Sequence, residues 1–314
     1  MFLATIVARH RWPAAIRKTL SALVPLGAMA MIGYLVLTRG SALLGALAAV
    51  PPWVLAAAVG AHLLTLALRT EAWRTVIHAA GGERLEPATV HAANAGAFLA
   101  GTVQGQAAMP ARVALLRRFG GERAPTVAQV ALGDAPIVMF EVLAAAVLAA
   151  VGSTAVGLIP AWAPWAMLAG AFAILAALRL LYGRFRDRKL AAGLSVLAQP
   201  GMRNRLALIV AGFTAMAFLR TLIVMVGFDL PSDPAHVCLV LFTMGAVGLL
   251  PLGIGTGPAS MVAALGGTTS LVTATAAGMV VSAATVLAVL IYAAAVWAWR
   301  TALARDAAPQ PARL

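Results

Sequence analysis

The fold class this sequence predicts is an all-α polytopic membrane protein, with six crossing helices and two re-entrant segments arranged as an inverted repeat. Three observations carry that expectation. The chain is 62% hydrophobic and 11% charged, with a mean hydropathy of +0.94, whereas a soluble domain carries roughly a quarter charged residues. Its basic residues gather at the ends of apolar runs, which is how membrane topology is written. Two apolar stretches are interrupted by proline and glycine, and non-helical backbone at membrane depth is tolerated only inside protein or along a wet cavity.

Taken in order, Arg9, His10, Arg11, Arg17 and Lys18 precede a first apolar run at about Leu20–Leu37. More runs follow it, so an uncleaved span with its N-terminus inside is expected rather than a signal peptide. Pro51 and Pro52 open a second run, Trp53–Leu68, which returns the chain to Arg69, Arg74 and Arg84 among Glu71, Glu83 and Glu86. Ala88–Met109 has moderate hydropathy and is followed by Arg112, Arg117, Arg118 and Arg123. If it crossed, that basic cluster would lie outside, so a hairpin entering and leaving on the inner side is expected.

Thr126–Val151 crosses outward and Trp165–Tyr182 crosses back to a basic loop with Arg184, Arg186, Arg188, Lys189, Arg203 and Arg205. Leu206–Phe228 goes out to Asp229 and Asp233. The last run, Leu271–Trp299, must end inside because Arg300, Arg305 and Arg313 follow it. The parity works if His236–Gly267 enters and returns on the outer side. Residues 20–151 and 160–299 then form two inverted halves of one membrane domain, with 300–314 a disordered basic tail and both termini cytoplasmic. Eight plain crossings are the alternative, at the price of placing Arg112–Arg123 outside.

The stretch Leu249–Gly267, LLPLGIGTGPASMVAALGG, is the most informative. Pro251, Gly253, Gly255, Gly257 and Pro258 make it a poor continuous helix, and in transporters such broken helices sit at binding sites. Setting Pro110 against Pro258 aligns Gln104–Gly121 with Leu252–Gly267, so that Gly105 meets Gly253 and Ala111 meets Ala259.

Four charged side chains are candidates for chemistry. Asp134 and Glu141 are seven apart, on one helix face about two turns from each other. An intramembrane carboxylate is a functional hypothesis by default. About 10 Å of rise is long for joint work on one glycosidic bond, so coupling to a proton or cation, or contact with a cationic headgroup, fits better. A structural pairing with Arg112 or Arg220 is the plain alternative. Arg112 follows the first break and Arg220 lies about 20 Å into its span. Arginine suits bidentate phosphate, and snorkelling is the bland reading for either.

Other classes are excluded. No basic stripe with aromatics sits on a soluble domain, so nucleic acid is not a partner. His62, His91 and His236 lack metal-ligand spacing and read as packing residues. Ser260 and Ser282 have no nearby histidine to activate them. The single Cys238 excludes an intramolecular disulfide. No nucleotide-binding pattern stands in the right context, so neither a cofactor nor an ATPase is expected. Trp53, Trp73, Trp162, Trp165, Trp297 and Trp299 sit at run ends, as an aromatic belt does.

From Glu71 to Gly267 the sequence resembles the flippase-like transmembrane module of lysylphosphatidylglycerol synthases and their stand-alone relatives. The resemblance rests on EAWRTVIHAAGG, QGQAAMPARVALLRRFGG, the Asp134/Glu141 span and LLPLGIGTGPASM. The family pattern at the first break is Pro-Gly, then Gly-Glu, then Arg; Gly105 and Arg112 match it, while Gln104 and Ala108-Met109 depart. At the second break Pro251, Gly255 and Gly257 match, and Ser260 stands where Glu is expected. The resemblance implies movement of a modified phospholipid or lipid-linked intermediate between leaflets. It implies no lipid synthesis, since the soluble aminoacyl-transfer domain is not in the chain. A non-transporting scaffold for a separately encoded transferase is the second reading, favoured by the loss of both family acids.

Overall fold

The computed structural model describes residues 37–80, 85–103, 105–157, 160–185, 189–248 and 255–306. Among them the regular elements are helices: α1 (37–48), α2 (Pro52–Ala79), α3 (Pro87–Val103), α4 (Ala108–Gly120), α5 (Val127–Val156), α6 (Ala163–Phe185), α7 (Pro200–Gly227), α8 (Pro234–Val247), α9 (Thr256–Leu265) and α10 (Leu271–Asp306). Five of them, α2, α5, α6, α7 and α10, are long and apolar enough to cross a membrane. This is an all-α, multi-pass membrane bundle. The run at Leu20–Leu37 lies outside the described residues save for its last residue, as do Pro251 and Gly253.

Local chemistry sets the helix starts. Proline opens α2, α7 and α8, at the position where its missing N–H had no intrahelical partner to lose. Thr126 and Gln129 form a reciprocal capping box on α5. Asp233 caps α8 by accepting from the backbone N–H groups of Ala235 and His236 at 3.1 and 3.2 Å. Inside α5 stands Pro136, tolerated because neighbouring helices rather than water surround it.

The centre of the bundle is α2 running along α7. On either side, α5 packs on α8 and α10 packs on α3, while α3 pairs with α4, α8 with α9, and α9 with α10. One core joins Trp73, Val76, Leu116, Met139, Leu206 and Phe213. A second joins Val54, Met225, Val240, Met261 and Leu265. Leu64, Phe172, Leu180, Leu208 and Leu290 stay exposed on the outside of the bundle. A soluble protein would not carry such a surface, and lipid tails are the solvent that suits it.

Several expectations are corrected here. Pro110 is not at a break: it is the third residue of α4, as Pro258 is the third residue of α9. Gly257 is helical too. A proline in a first turn gives up no intrahelical bond, so the first break lies upstream of Pro110, around the short 3₁₀ turn Gly105–Ala107. Gly255 is the residue before α9.

Arg69, Glu71 and Arg74, which follow the apolar run Trp53–Leu68, are helical because α2 continues to Ala79. Trp73 does not belong to an interfacial belt; it is 3% exposed, whereas Trp53, Trp162, Trp165, Trp297 and Trp299 do lie on the surface. The basic loop before α7 folds its middle inward. There Lys189–Leu197 is a 3₁₀ segment against α5 and α2, and Ser195 and Gln199 both donate to the Ala79 carbonyl. Gly193 makes this possible, since a Cβ there would sit 2.7 Å from the Gln129 carbonyl oxygen. At the C-terminal end α10 continues to Asp306, into the stretch expected to be a disordered tail.

Candidate functional site

A cavity of about 430 Å³ lies among α2, α3, α4, α7, α8, α9 and α10. Its wall is mostly apolar, with Arg69, Arg220 and His62 as its charged or titratable lining and hydroxyls from Thr65, Thr102, Thr256, Ser282 and Thr285. Ala108 and Thr256, the first residues of α4 and α9, both line it. The two broken stretches therefore start their second helices at the same space. On the far side Gly257 and Gly278 let α9 and α10 touch: a Cβ on Gly278 would fall 2.4 Å from the Pro258 Cα.

Arg220, on α7, is 6% exposed. Its Nη1 donates to His62 Nδ1 at 2.8 Å and to Thr285 Oγ1 at 3.2 Å. Because an arginine only donates, His62 must offer an unprotonated Nδ1 there. The Arg220 Nε is buried with no hydrogen-bond partner. Among the described residues no carboxylate pairs with this guanidinium. A buried charge left without a counter-charge is destabilising by several kcal/mol, of order ~3–5. An anion entering the cavity would relieve that.

Arg112, on α4, is as buried, at 7%, but it is housed differently. Its guanidinium lies over the Trp73 ring, 4.0 Å from the centroid, and its Nε donates to Asn94 Oδ1 at 2.7 Å. A weaker contact reaches the Met109 sulfur at 3.9 Å. Arg112 is not part of the cavity lining. It was expected at the mouth of the first break, and the side chain instead turns inward onto an aromatic plate.

The two carboxylates of α5 also part company. Glu141 forms an ion pair with Arg69, a partner that sequence spacing did not suggest. Asp134 makes no hydrogen bond or ion pair to a described residue, although it lies within electrostatic reach of Arg112 and Arg69. Arg69 also lies over the Phe213 ring at 5.4 Å. Arg112, Asp134 and Glu141 thus gather around Arg69, and Arg69 carries that cluster to the cavity where Arg220 stands.

Sequence reasoning missed Arg69 and His62. The available signal was their spacing: seven residues apart on α2, they share a face just as Asp134 and Glu141 do on α5. It also missed a polar junction at Glu71, which accepts from Arg74 at 2.7 Å, meets His91 at 3.3 Å and approaches Arg205 at 3.5 Å. A second cavity of about 240 Å³ lies beside it, lined by Arg74, His78 and Arg205 with Ile77, Leu85 and Val90. Among the described residues no three histidine, cysteine or acidic side chains gather as a metal site would need.

Comparison with known families gives a match between residues 20–293 and the family described as the lysylphosphatidylglycerol synthase TM region. No curated protein and no solved structure matches the chain.

Proposed function

We propose, from the premise that this chain belongs to the family of lysylphosphatidylglycerol synthase transmembrane regions, that it moves a phospholipid or lipid-linked intermediate between leaflets through the Arg220 cavity. That family is lipid-handling, and the bundle is a multi-pass membrane protein. The single observation carrying the finer reading is the buried, unpartnered Nε of Arg220, a residue lining a mostly apolar cavity. A mostly apolar space with an under-satisfied cation suits a molecule with an anionic head and apolar tails. Phosphate is the headgroup chemistry that guanidinium holds best. Arg69 would supply a second cation from the opposite helix. Asp134, with Arg112 and Arg69 nearby, would meet a cationic part of the headgroup or a proton.

The arrangement of helices supports an inverted repeat of six crossings and two re-entrant pairs. Pairing α2 with α7, α3 with α8, α4 with α9 and α5 with α10 turns the α5–α8 contact into the α10–α3 contact. The same exchange turns the α3–α4 pair into the α8–α9 pair. Helix starts repeat at nearly constant spacing, Pro52 with Pro200, Pro87 with Pro234 and Ala108 with Thr256. Three crossings per half make the halves opposite in direction, with α3–α4 and α8–α9 as the re-entrant pairs and the cavity where they meet. Arg117, Arg118, Arg184, Arg203 and Arg205 would then lie on the cytoplasmic side of a bacterial inner membrane with both chain ends. The chain would act without an ATPase of its own.

The test is transfer of fluorescent anionic phospholipid across proteoliposome bilayers. Loss of transfer in Arg220→Met with unchanged gel filtration is the expected result. Equal transfer in wild type and Arg220→Met would sink the proposal.

One observation favours the scaffold reading. Where the family carries acids, Met109 presents a thioether to Arg112 and Ser260 turns its hydroxyl to the Thr256 carbonyl at 2.6 Å. A chain that docks a transferase would not need those acids, and a stable partner enzyme without lipid transfer would favour it.

A further inference from the structure

Beside the cavity, a chain of hydrogen bonds joins α2, α3 and α10, and counting its protons gives a definite answer. Thr70 donates its hydroxyl hydrogen to the Leu66 carbonyl at 3.0 Å. Its oxygen is then free to accept, and it does so from the Tyr292 hydroxyl at 2.9 Å. A phenol has one hydrogen. Toward His91 Nδ1, 2.7 Å away, the Tyr292 oxygen must therefore accept, and Nδ1 must carry a hydrogen.

On the other side of the ring, His91 Nε2 meets Glu71 Oε1 at 3.3 Å. The same Glu71 oxygen accepts from Arg74 Nη1 at 2.7 Å, and Arg205 lies 3.5 Å from the other. An oxygen that accepts from a guanidinium is an acceptor toward the ring too, so Nε2 must carry a hydrogen as well. Neutral imidazole has one N–H and imidazolium has two. The chain is complete only when His91 is protonated.

We propose that His91 is a proton-binding switch: with its proton it locks α2, α3 and α10 together beside the cavity, and on losing it gives up one link and loosens that junction. This stands whether or not the chain moves lipid. The junction lies directly behind the cavity wall. Phe98, which lines the cavity, stacks against Tyr292 with ring centroids 6.1 Å apart, and Leu66 and Val289 line it too. The titratable and charged neighbours are Glu71 and Arg74 on α2, Arg205 on α7 and Tyr292 on α10. From α4, which also packs on α3, Arg112 points to Asn94 instead. Burial, with Arg74, holds His91 below the ordinary histidine value, and Glu71 offsets this only in part. The released proton has a way out past the partly exposed Glu71 to the cavity lined by Arg74 and Arg205.

Trp299 provides the readout, since its ring meets His91 edge-on at 5.8 Å and an imidazolium beside an indole quenches its emission. The full chain in nanodiscs is titrated and the emission of Trp299→Phe subtracted from that of the wild type. The expected difference signal falls in one step on acidification, with its midpoint below the ordinary histidine value. His91→Gln abolishes the step. Tyr292→Phe, which removes the acceptor for Nδ1–H, lowers its midpoint by about one unit. Absence of a step, or a step that survives in His91→Gln, overturns the proposal. If His91→Gln does not fold, the Tyr292→Phe midpoint decides alone, and an unmoved midpoint overturns it.

Discussion

Two arginines in this protein are equally buried and differently provided for. Arg112 rests on Trp73 and gives its Nε to Asn94; Arg220 has a histidine and a hydroxyl on one nitrogen and nothing on its Nε. The first environment is complete without a ligand. A guanidinium over a desolvated indole gains on the order of 2 kcal/mol, and the amide satisfies a donor that would otherwise be orphaned. The second environment leaves one buried donor without an acceptor, on a residue that lines the cavity. Burial alone therefore does not mark a binding residue. The unsatisfied donor is what our proposal rests on, because only there would a ligand supply something that the protein withholds.

Substitutions at the two sites sharpen that contrast. The largest functional effect is expected at Arg220. Arg220→Met should reduce binding of anionic lipid, read by co-purified phosphorus per protein, by more than tenfold, about the value of one charge-assisted bond. The same variant should melt no lower than the wild type, because an unpaired buried cation is replaced by an apolar side chain. A clear loss of thermal stability with lipid binding intact would invert the assignment.

Next in size is Gly278→Ala, which pushes on Pro258 where α9 meets α10. Overpacking of that kind is expected to destabilise by about 1–3 kcal/mol. It should lower the melting temperature and disturb the cavity wall at Gly257 without touching either arginine.

Trp73→Leu should come third. It removes the plate under Arg112 and should lower stability by about 1–3 kcal/mol, leaving lipid binding per folded protein unchanged. An equal fall in binding would mean that Arg112 itself, beside Asp134 and Arg69, takes part in holding the lipid.

The smallest effect is expected far from both, at the α8 cap. Slight desolvation pushes the Asp233 carboxyl up, but hydrogen bonds from the His236 ring, the His236 backbone and Ala235 outweigh it and hold it below the usual carboxylate range. The cap's contribution is therefore present above the ordinary carboxylate range and fades as pH falls through the lowered value. Asp233→Ala should remove about 1 kcal/mol at neutral pH, measured by thermal melting, with the difference from wild type shrinking in acid.

Much of this was written along the chain. Composition and the placement of arginine determined a multi-pass helical bundle, because removing so much apolar surface from water leaves the bilayer as the only solvent. Proline and capping residues determined where α2, α5, α7 and α8 begin, because helix starts depend on neighbours a few residues away. The echo between Pro110 and Pro258 was also legible, and both prolines hold the third position of their helices.

Tertiary structure alone decided which charges matter. Glu141 chose Arg69, seventy-two residues away, over Arg112 and Arg220. Trp73 went to the core, and the middle of the basic loop folded under α5. His91 and Tyr292, read as packing residue and unremarked aromatic, met across two hundred and one positions. Periodicity along a helix fixes which side chains share a face. What lies opposite that face depends on how separate helices pack, and a buried donor acquires its acceptor, or lacks one, only when they do.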